Sequence, residues 1–182
     1  QGTYAKITAA ENEFRTAIEA DPGYADAHYN LAILLELERQ DVDGAEKAFR
    51  AAIEADPGCA DAYSNFGALL HNVRNDVDGA EEAFRTAIEA DPGYADAYIN
   101  LGILLEKRAR QIEDSDGKAA VALYDECARL WTFSQGRDHE WTKGAEADAK
   151  RVRAALAGRA GGGARQGGAM KGRKGREGRK GG

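Results

Sequence analysis

The sequence predicts an all-α protein, a solenoid of antiparallel helical hairpins, and three observations carry that expectation. The stretch RTAIEADPGYADA occupies residues 15–27 and returns letter for letter at 85–97, with the near copy RAAIEADPGCADA at 50–62. Alignment on Asp21-Pro22, Asp56-Pro57 and Asp91-Pro92 gives a strict 35-residue period that uses all three prolines of the chain. Between the prolines, apolar residues recur at helical spacing and no alternating strand pattern competes.

The elements follow in order. Residues 1–23 form an N-terminal half repeat, in which Thr8 and Glu11 suit a capping box and Ala10, Phe14 and Ala17 face inward over 8–20. The first full hairpin, 24–58, places His28, Leu31, Ala32 and Leu35 on one stripe. After RQDVDG it places Ala45, Phe49, Ala52 and Ile53 on a second. Asp43 stands three residues before Glu46, and Asp78 before Glu81, as an N-cap with a reaching carboxylate. Pro57 ends the unit, because it lacks an N–H and holds Asp56 extended.

The second hairpin spans 59–93 and the third 94–133, with a turn lengthened through EKRARQIEDSDG after Leu105. Its second helix carries Ala120, Tyr124 and Cys127, and Trp131 and Phe133 stand where the stop proline is missing. Residues 134–157 supply a capping helix over 138–157, with Trp141, Ala145, Ala149, Val152 and Leu156 on one stripe and a weakening Gly144. Beyond it, 158–182 is expected to be a disordered basic tail.

Charge divides the chain in the same place. The tail holds eight Lys/Arg, one Glu and eleven of the 22 glycines, a charge of +7; the net −6 then leaves −13 on the body. Mean hydropathy is −0.59 and no run of 18 apolar residues offers a membrane span. The chain begins at Gln1 with its single methionine at Met170 and no leader pattern, which suits a processed chain or a fragment. Cys59 and Cys127 match no metal or redox spacing and fit a reducing, cytoplasmic setting. No metal or cofactor is expected.

Tyr98-x-x-Leu101-Gly102-x-x-Leu105, with Ala80-x-x-x-Phe84-x-x-Ala87 closing at Pro92, resembles the tetratricopeptide repeat. Tyr63-x-x-Phe66-Gly67-x-x-Leu70 matches the same pattern, and His28-x-x-Leu31-Ala32-x-x-Leu35 matches more loosely. Each unit departs from the family's 34 residues by one extra in the turn inside the hairpin. The resemblance implies a right-handed superhelix whose concave groove is lined by the first helix of every hairpin.

Chemistry for catalysis is hard to find. The sequence contains no G-x-S-x-G, P-loop or H-E-x-x-H motif. His28 takes the place of Tyr63 and Tyr98 as a packing residue, His71 has no partner in sequence, and His139 in RDHEW belongs to a solvated helix start. The expectation is a non-enzymatic chain.

A second stripe on each first helix is the candidate site. It runs Asp26, Tyr29, Asn30, Ile33, Leu37; then Asp61, Ser64, Asn65, Ala68, Asn72; then Asp96, Ile99, Asn100, Ile103, Lys107. A side-chain amide offers one donor and one acceptor, the complement of a peptide unit. Neighbouring helices stand roughly 8–10 Å apart and an extended chain advances about 3.3 Å per residue, so Asn30, Asn65 and Asn100 match every third ligand residue. This recurrence is similar to the asparagine ladder in the repeats of O-linked N-acetylglucosamine transferases. Two roles are open to the asparagines, gripping a ligand and holding the stack; two are open to Ile33, Leu37, Ile99 and Ile103, ligand contact and partial burial.

The aspartates favour a neutral-to-basic protein segment. Co-chaperone members of the family clamp an acidic carboxylate with basic residues at this face; here Asp96, Tyr29 and their neighbours stand instead. In the tail, Lys171, Arg173, Lys174, Arg176, Arg179 and Lys180 suit weak phosphate attraction without aromatic stacking, and KGRKGREGRK resembles a nuclear-import signal. Three functions compete: a peptide-binding scaffold, a nucleic-acid-associated adaptor using the tail, and the substrate-recognition repeats of a larger enzyme. The tail also suits folding back over the acidic groove as an internal competitor.

Overall fold

The Asp-Pro-Gly corners fold identically at each occurrence. The carboxylates of Asp21, Asp56 and Asp91 accept from the N–H of Gly23, Gly58 and Gly93 at 3.0, 2.9 and 2.8 Å. Their own N–H groups reach back to the carbonyls of Ala17, Ala52 and Ala87, closing the preceding helix. Proline then supplies no donor and the chain turns. The structure, a computed structural model, describes residues 2–166. Within them lie α1 (Gly2–Ala20), α2 (Ala25–Leu34), α3 (Val42–Ala55), α4 (Ala60–Leu69), α5 (Val77–Ala90), α6 (Ala95–Ile112), α7 (Gly117–Gln135) and α8 (Glu140–Gln166), with no strand among the described residues.

The turn inside each of the first two hairpins absorbs the extra residue as a wider helical turn. α2 and α4 end in π-helical turns, Leu35–Arg39 and Leu70–Arg74, where Asp41 and Asp76 donate back to the carbonyls of Leu35 and Leu70 at 2.9 Å. The reversal needs a left-handed residue, supplied by Gln40 and Asn75, both at φ 56°. Asparagine tolerates that region better than glutamine.

The caps lie two residues earlier than the sequence suggested. Asp41 and Asp76, not Asp43 and Asp78, accept from the N–H of Gly44 and Gly79 at 3.0 Å. A Cβ there would crowd the capping carboxylate, standing 2.8 Å from Cγ of Asp41 or 2.9 Å from Cγ of Asp76, so glycine spares the cap a shift. Thr8 and Glu11 are likewise no capping box, since α1 already begins at Gly2 and both lie inside it.

The third hairpin is built differently. EKRARQI, expected as turn, continues α6 to Ile112, and the reversal is confined to the residues before α7, where Asp116 caps Ala119 N–H at 3.0 Å. α7 runs on past Trp131 and Phe133 to Gln135, then Gly136 turns the chain at φ +94°. α8 continues through Gly158, where composition predicted an end, to Gln166. The tail residues Lys171, Arg173, Lys174, Arg176, Arg179 and Lys180 lie outside the described residues.

One apolar cluster runs from Leu31 through Phe49, Phe66, Phe84 and Leu101 to Trp131. Phe49 and Phe84 are buried, each contributing about 1.5–3 kcal/mol, whereas their counterpart Phe14 in α1 is only half-buried. Helices approach closely where Gly67 faces Phe84 and Gly102 faces Trp131. A Cβ at Gly102 would collide with Nε1 of the indole and stand 2.6 Å from its Cε2, and one at Gly67 would stand 2.8 Å from the phenyl ring. These glycines set the distance between the two helices of a hairpin, and so the angle at which α4 and α6 present their other face.

Candidate peptide-binding groove

That other face is formed by α2, α4 and α6 side by side, and Asn65 and Asn100 tie them together. Asn30 Nδ2 donates to the Asp26 carbonyl at 2.8 Å. Asn65 Nδ2 donates to the Asp61 carbonyl at 3.0 Å and to the Tyr29 hydroxyl, on the neighbouring helix, at 3.1 Å. Asn100 Nδ2 donates to Oγ of Ser64 at 3.3 Å, again across helices. A backbone carbonyl can only accept, so Asn30 and Asn65 commit their nitrogens to these bonds and keep their oxygens as acceptors. Among the described residues no donor reaches any of the three Oδ1 atoms.

Beside the asparagines runs the acidic row. Asp26, Asp61 and Asp96 are exposed, each four residues after Pro22, Pro57 and Pro92. Asp61 accepts from the Tyr94 hydroxyl of the next unit at 2.8 Å. Burial and this carboxylate push the Tyr94 phenol well above its ordinary pKa. Cys59 stands at the equivalent position one unit earlier, so Asp26 lacks a matching hydroxyl. Tyr29 is part of the packing as much as of the surface: it meets Phe49 edge-on at 6.3 Å, and burial foremost raises its pKa.

The apolar positions divide. Leu37 and Ile103 are 67% and 42% exposed, whereas Ile33 and Ile99 are half-buried, Ile33 packing against the core. Asn72 is exposed; its neighbour His71 accepts from Lys107 Nζ at 3.3 Å, bridging the second and third units. Partial burial first, and the Lys107 ammonium second, lower the His71 pKa.

α8 extends the face by one more helix. Thr142 Oγ1 donates to the Gly136 carbonyl six residues back, just as the Tyr98 hydroxyl donates to the Pro92 carbonyl, both at 3.0 Å; His28 Nε2 makes the same contact to Pro22 at 2.9 Å. In this register Glu140 continues the acidic row, Lys143 falls opposite Ile99, and Gly144 occupies the asparagine position. α8 thus begins in the register of a first helix, with a glycine, which has no side chain, where the others carry asparagine.

Arginines at the ends of the groove helices staple each unit to the one before. Arg39 donates to Glu11 and Thr8 at 2.9 and 2.8 Å, Arg74 to Glu46 at 3.0 Å and to Asp43, and Arg108 to Glu81 at 2.9 Å and Asp78 at 3.5 Å. The carboxylates that looked like caps are the receivers of these staples. Neither the staples nor the tyrosine bridge was anticipated, though the recurrence of Arg39 and Arg74 at the period was visible.

Stacked helical hairpins with one continuous presented face define an α-solenoid of the repeat-scaffold class. The comparisons name the repeat: models described as tetratricopeptide repeat match residues 5–60, 33–94 and 83–115. The chain belongs to the tetratricopeptide-repeat family. No curated protein matches it in sequence. Among solved structures, MamA is similar at 18% identity and TM-score 0.55, over 82% of this chain and 80% of that one. YrrB, described as a tetratricopeptide-repeat protein with an unusual peptide-binding site, is similar at 24% identity and TM-score 0.54, over 80% and 68%. A Thermobaculum terrenum O-GlcNAc transferase K341M mutant is similar at 25% identity and TM-score 0.53, over 69% of this chain but only 23% of its own.

Proposed function

We propose that the chain is a non-catalytic protein-interaction scaffold whose groove binds an extended, neutral-to-basic segment of a partner protein. The Oδ1 atoms of Asn30 and Asn65, left unbonded when their nitrogens go to backbone carbonyls, carry this reading, with Asn100 at the equivalent position of the third helix. Helix carbonyls and hydroxyls of the neighbouring helix take the amide nitrogens, and the oxygens are suited to backbone N–H groups whatever the ligand's side chains. Asp26, Asp61, Asp96 and Glu140 beside them favour cationic side chains, and exposed Leu37 and Ile103 offer apolar contact. The two roles of the asparagines thus combine, one on the nitrogen and one on the oxygen.

The test is calorimetric titration of the chain with a panel of unrelated extended basic peptides, repeated on the Asn30/Asn65/Asn100→Ala variant. Retained helicity with affinity lowered about tenfold or more supports the reading. Unchanged binding by a folded variant assigns the ladder to the stack alone. A second reading, the substrate-recognition repeats of a larger enzyme, draws on the likeness to part of the O-GlcNAc transferase chain. It would give the same groove a substrate protein as its ligand.

A further inference from the structure

We infer that the groove accepts the basic tail of a second copy of this chain, joining molecules head to tail. The inference rests on the groove's being a peptide site and names its occupant.

The tail's pattern fits the groove's spacing. Residues 171–182 read KGR-KGR-EGR-KGG, a three-residue period. In the polyproline II conformation a chain has three residues per turn and rises about 3.1 Å per residue, so every third side chain lies on one edge, about 9.3 Å apart. One edge then carries Gly172, Gly175 and Gly178, the next Arg173, Arg176 and Arg179, and the last Lys171, Lys174, Glu177 and Lys180. The groove presents one asparagine and one acidic residue per helix, with packed helices roughly 8–10 Å apart. Arginines at this period meet successive carboxylates of the row Asp26, Asp61, Asp96 and Glu140. The glycine edge, without Cβ atoms, lets the backbone approach the Oδ1 ladder, and this conformation leaves its N–H groups unpaired for those acceptors.

The groove's own cations oppose the ligand only locally. Lys107 and His71 are engaged with each other, and Lys143 with Asp138 at 3.3 Å.

Helix α8 determines which copy supplies the tail. Its 27 residues span about 40 Å, running from Glu140, level with the acidic row, to Gln166. From Gln166 to Arg173 is seven residues, a reach of at most about 25 Å. While α8 is helical, Arg173 cannot return to its own acidic row. The three arginines therefore cannot together occupy the acidic row of their own chain, and only the groove of a second copy can take all three. Contact of this kind joins two different patches, so it closes into a reciprocal pair or a ring, or runs on as a chain, according to the rotation between copies.

Sedimentation velocity on the full chain, over a wide range of concentration, tests this with two charge-matched variants. Arg173/Arg176/Arg179→Ala and Lys171/Lys174/Lys180→Ala each remove three positive charges. The arginine variant is expected to raise the self-association constant for dissociation roughly tenfold or more, and the lysine variant much less. Equal losses overturn the inference, because bulk charge would then suffice. So does a wild-type chain that stays monomeric, whether its tail is free or folded onto its own groove.

Complementation settles direction. The arginine variant and a groove variant, Asp26/Asp61/Asp96→Asn, are each expected to stay monomeric alone and to pair on mixing; no pairing overturns the head-to-tail arrangement. The groove variant's helicity, unchanged by substitution of exposed carboxylates, guards against misfolding. Titration with the unrelated basic peptides separates the two levels. If they bind and the chain does not self-associate, only this inference falls; if no peptide binds, the groove reading falls with it.

Discussion

Replacing Gly102 by alanine tests whether the hairpin spacing sets the groove. Two effects oppose each other. Alanine in place of glycine inside a helix is favourable by about 1 kcal/mol. Against this, the new methyl would lie 2.6 Å from Cε2 and 3.0 Å from Cδ1 of Trp131, a side chain only 2% exposed. The indole has little room to yield, since its Nε1 donates to the Ile99 carbonyl at 3.4 Å and its ring packs on Trp141 at 5.8 Å. Overpacking of this kind costs about 1–3 kcal/mol and more when a ring must leave its site, the ceiling being about 4–6 kcal/mol for 150–250 Å² of buried indole. With the confined ring putting the cost in the upper part of that range, the expected net loss is about 1–2 kcal/mol, or roughly 2–8 °C in Tm, and more if the ring leaves its site. Urea unfolding followed by tryptophan fluorescence reads it directly, because both tryptophans, Trp131 and Trp141, lie in the affected third of the chain. Gly144→Ala is the control: nothing lies within 4 Å of its Cβ, so that variant should gain up to about 1 kcal/mol. Adding Trp131→Phe to Gly102→Ala should restore part of the loss by shrinking the ring. A Gly102→Ala chain as stable as wild type would refute the close-approach argument.

The other predictions follow from single contacts. Asn65→Ala removes two hydrogen bonds, one of them between helices, and should lower stability by about 1–2 kcal/mol in chemical denaturation; Asn30→Ala removes one local bond and should cost less. Cys59→Tyr places a hydroxyl where Tyr94 stands one unit later, so it should bridge to Asp26, raise the urea midpoint by the equivalent of about 0.5–1.5 kcal/mol, and weaken basic-peptide binding at that rung. Arg74→Ala should lower the urea midpoint slightly in low salt and less in high salt, since its partners Asp43 and Glu46 are solvent-accessible. His71 is harder to protonate in the folded chain than in the unfolded one. The stability it supports is therefore complete above pH 6.5 and declines as pH falls through its lowered folded pKa. An NMR titration should place the His71 pKa below 6.5, and Lys107→Ala should move it upward without restoring it fully, because burial is the larger cause.

The parts of the fold legible in sequence are those written in contiguous residues. Pro22, Pro57 and Pro92 fix the corners whatever surrounds them, and the helical stripes between them follow from spacing alone. DVDGAE was ambiguous, because both of its aspartates have cap chemistry and only the position of the Gly44 N–H decides between them. The turn after Leu105 was misjudged for a related reason. Nothing in EKRARQI forbids a helix, and the third unit has no left-handed Gln40 or Asn75 counterpart to stop one, so α6 simply continues. What sequence could not supply was reach between helices. Arg74 finds Asp43 and Glu46 about 30 positions away, and Asn65 finds Tyr29, only after the units have stacked.

The same limit explains why the asparagines looked undecided between binding and structure. Sequence gives a residue one position, whereas an amide has two ends. Once Nδ2 of Asn65 is committed to Tyr29 and Asp61, its Oδ1 cannot take that place without breaking both bonds. The contacts that hold the helices together are thus what keep the oxygen as an acceptor. A ligand meeting a freely rotating amide would have to order it at its own expense; here folding has already done so. Asn30 is the instructive exception, tied only to its own helix at 2.8 Å and exposed. The ladder should therefore be firmest at its second rung, and a bound segment should lose more affinity from Asn65→Ala than from Asn30→Ala even after their stabilities are matched by a compensating substitution such as Gly144→Ala.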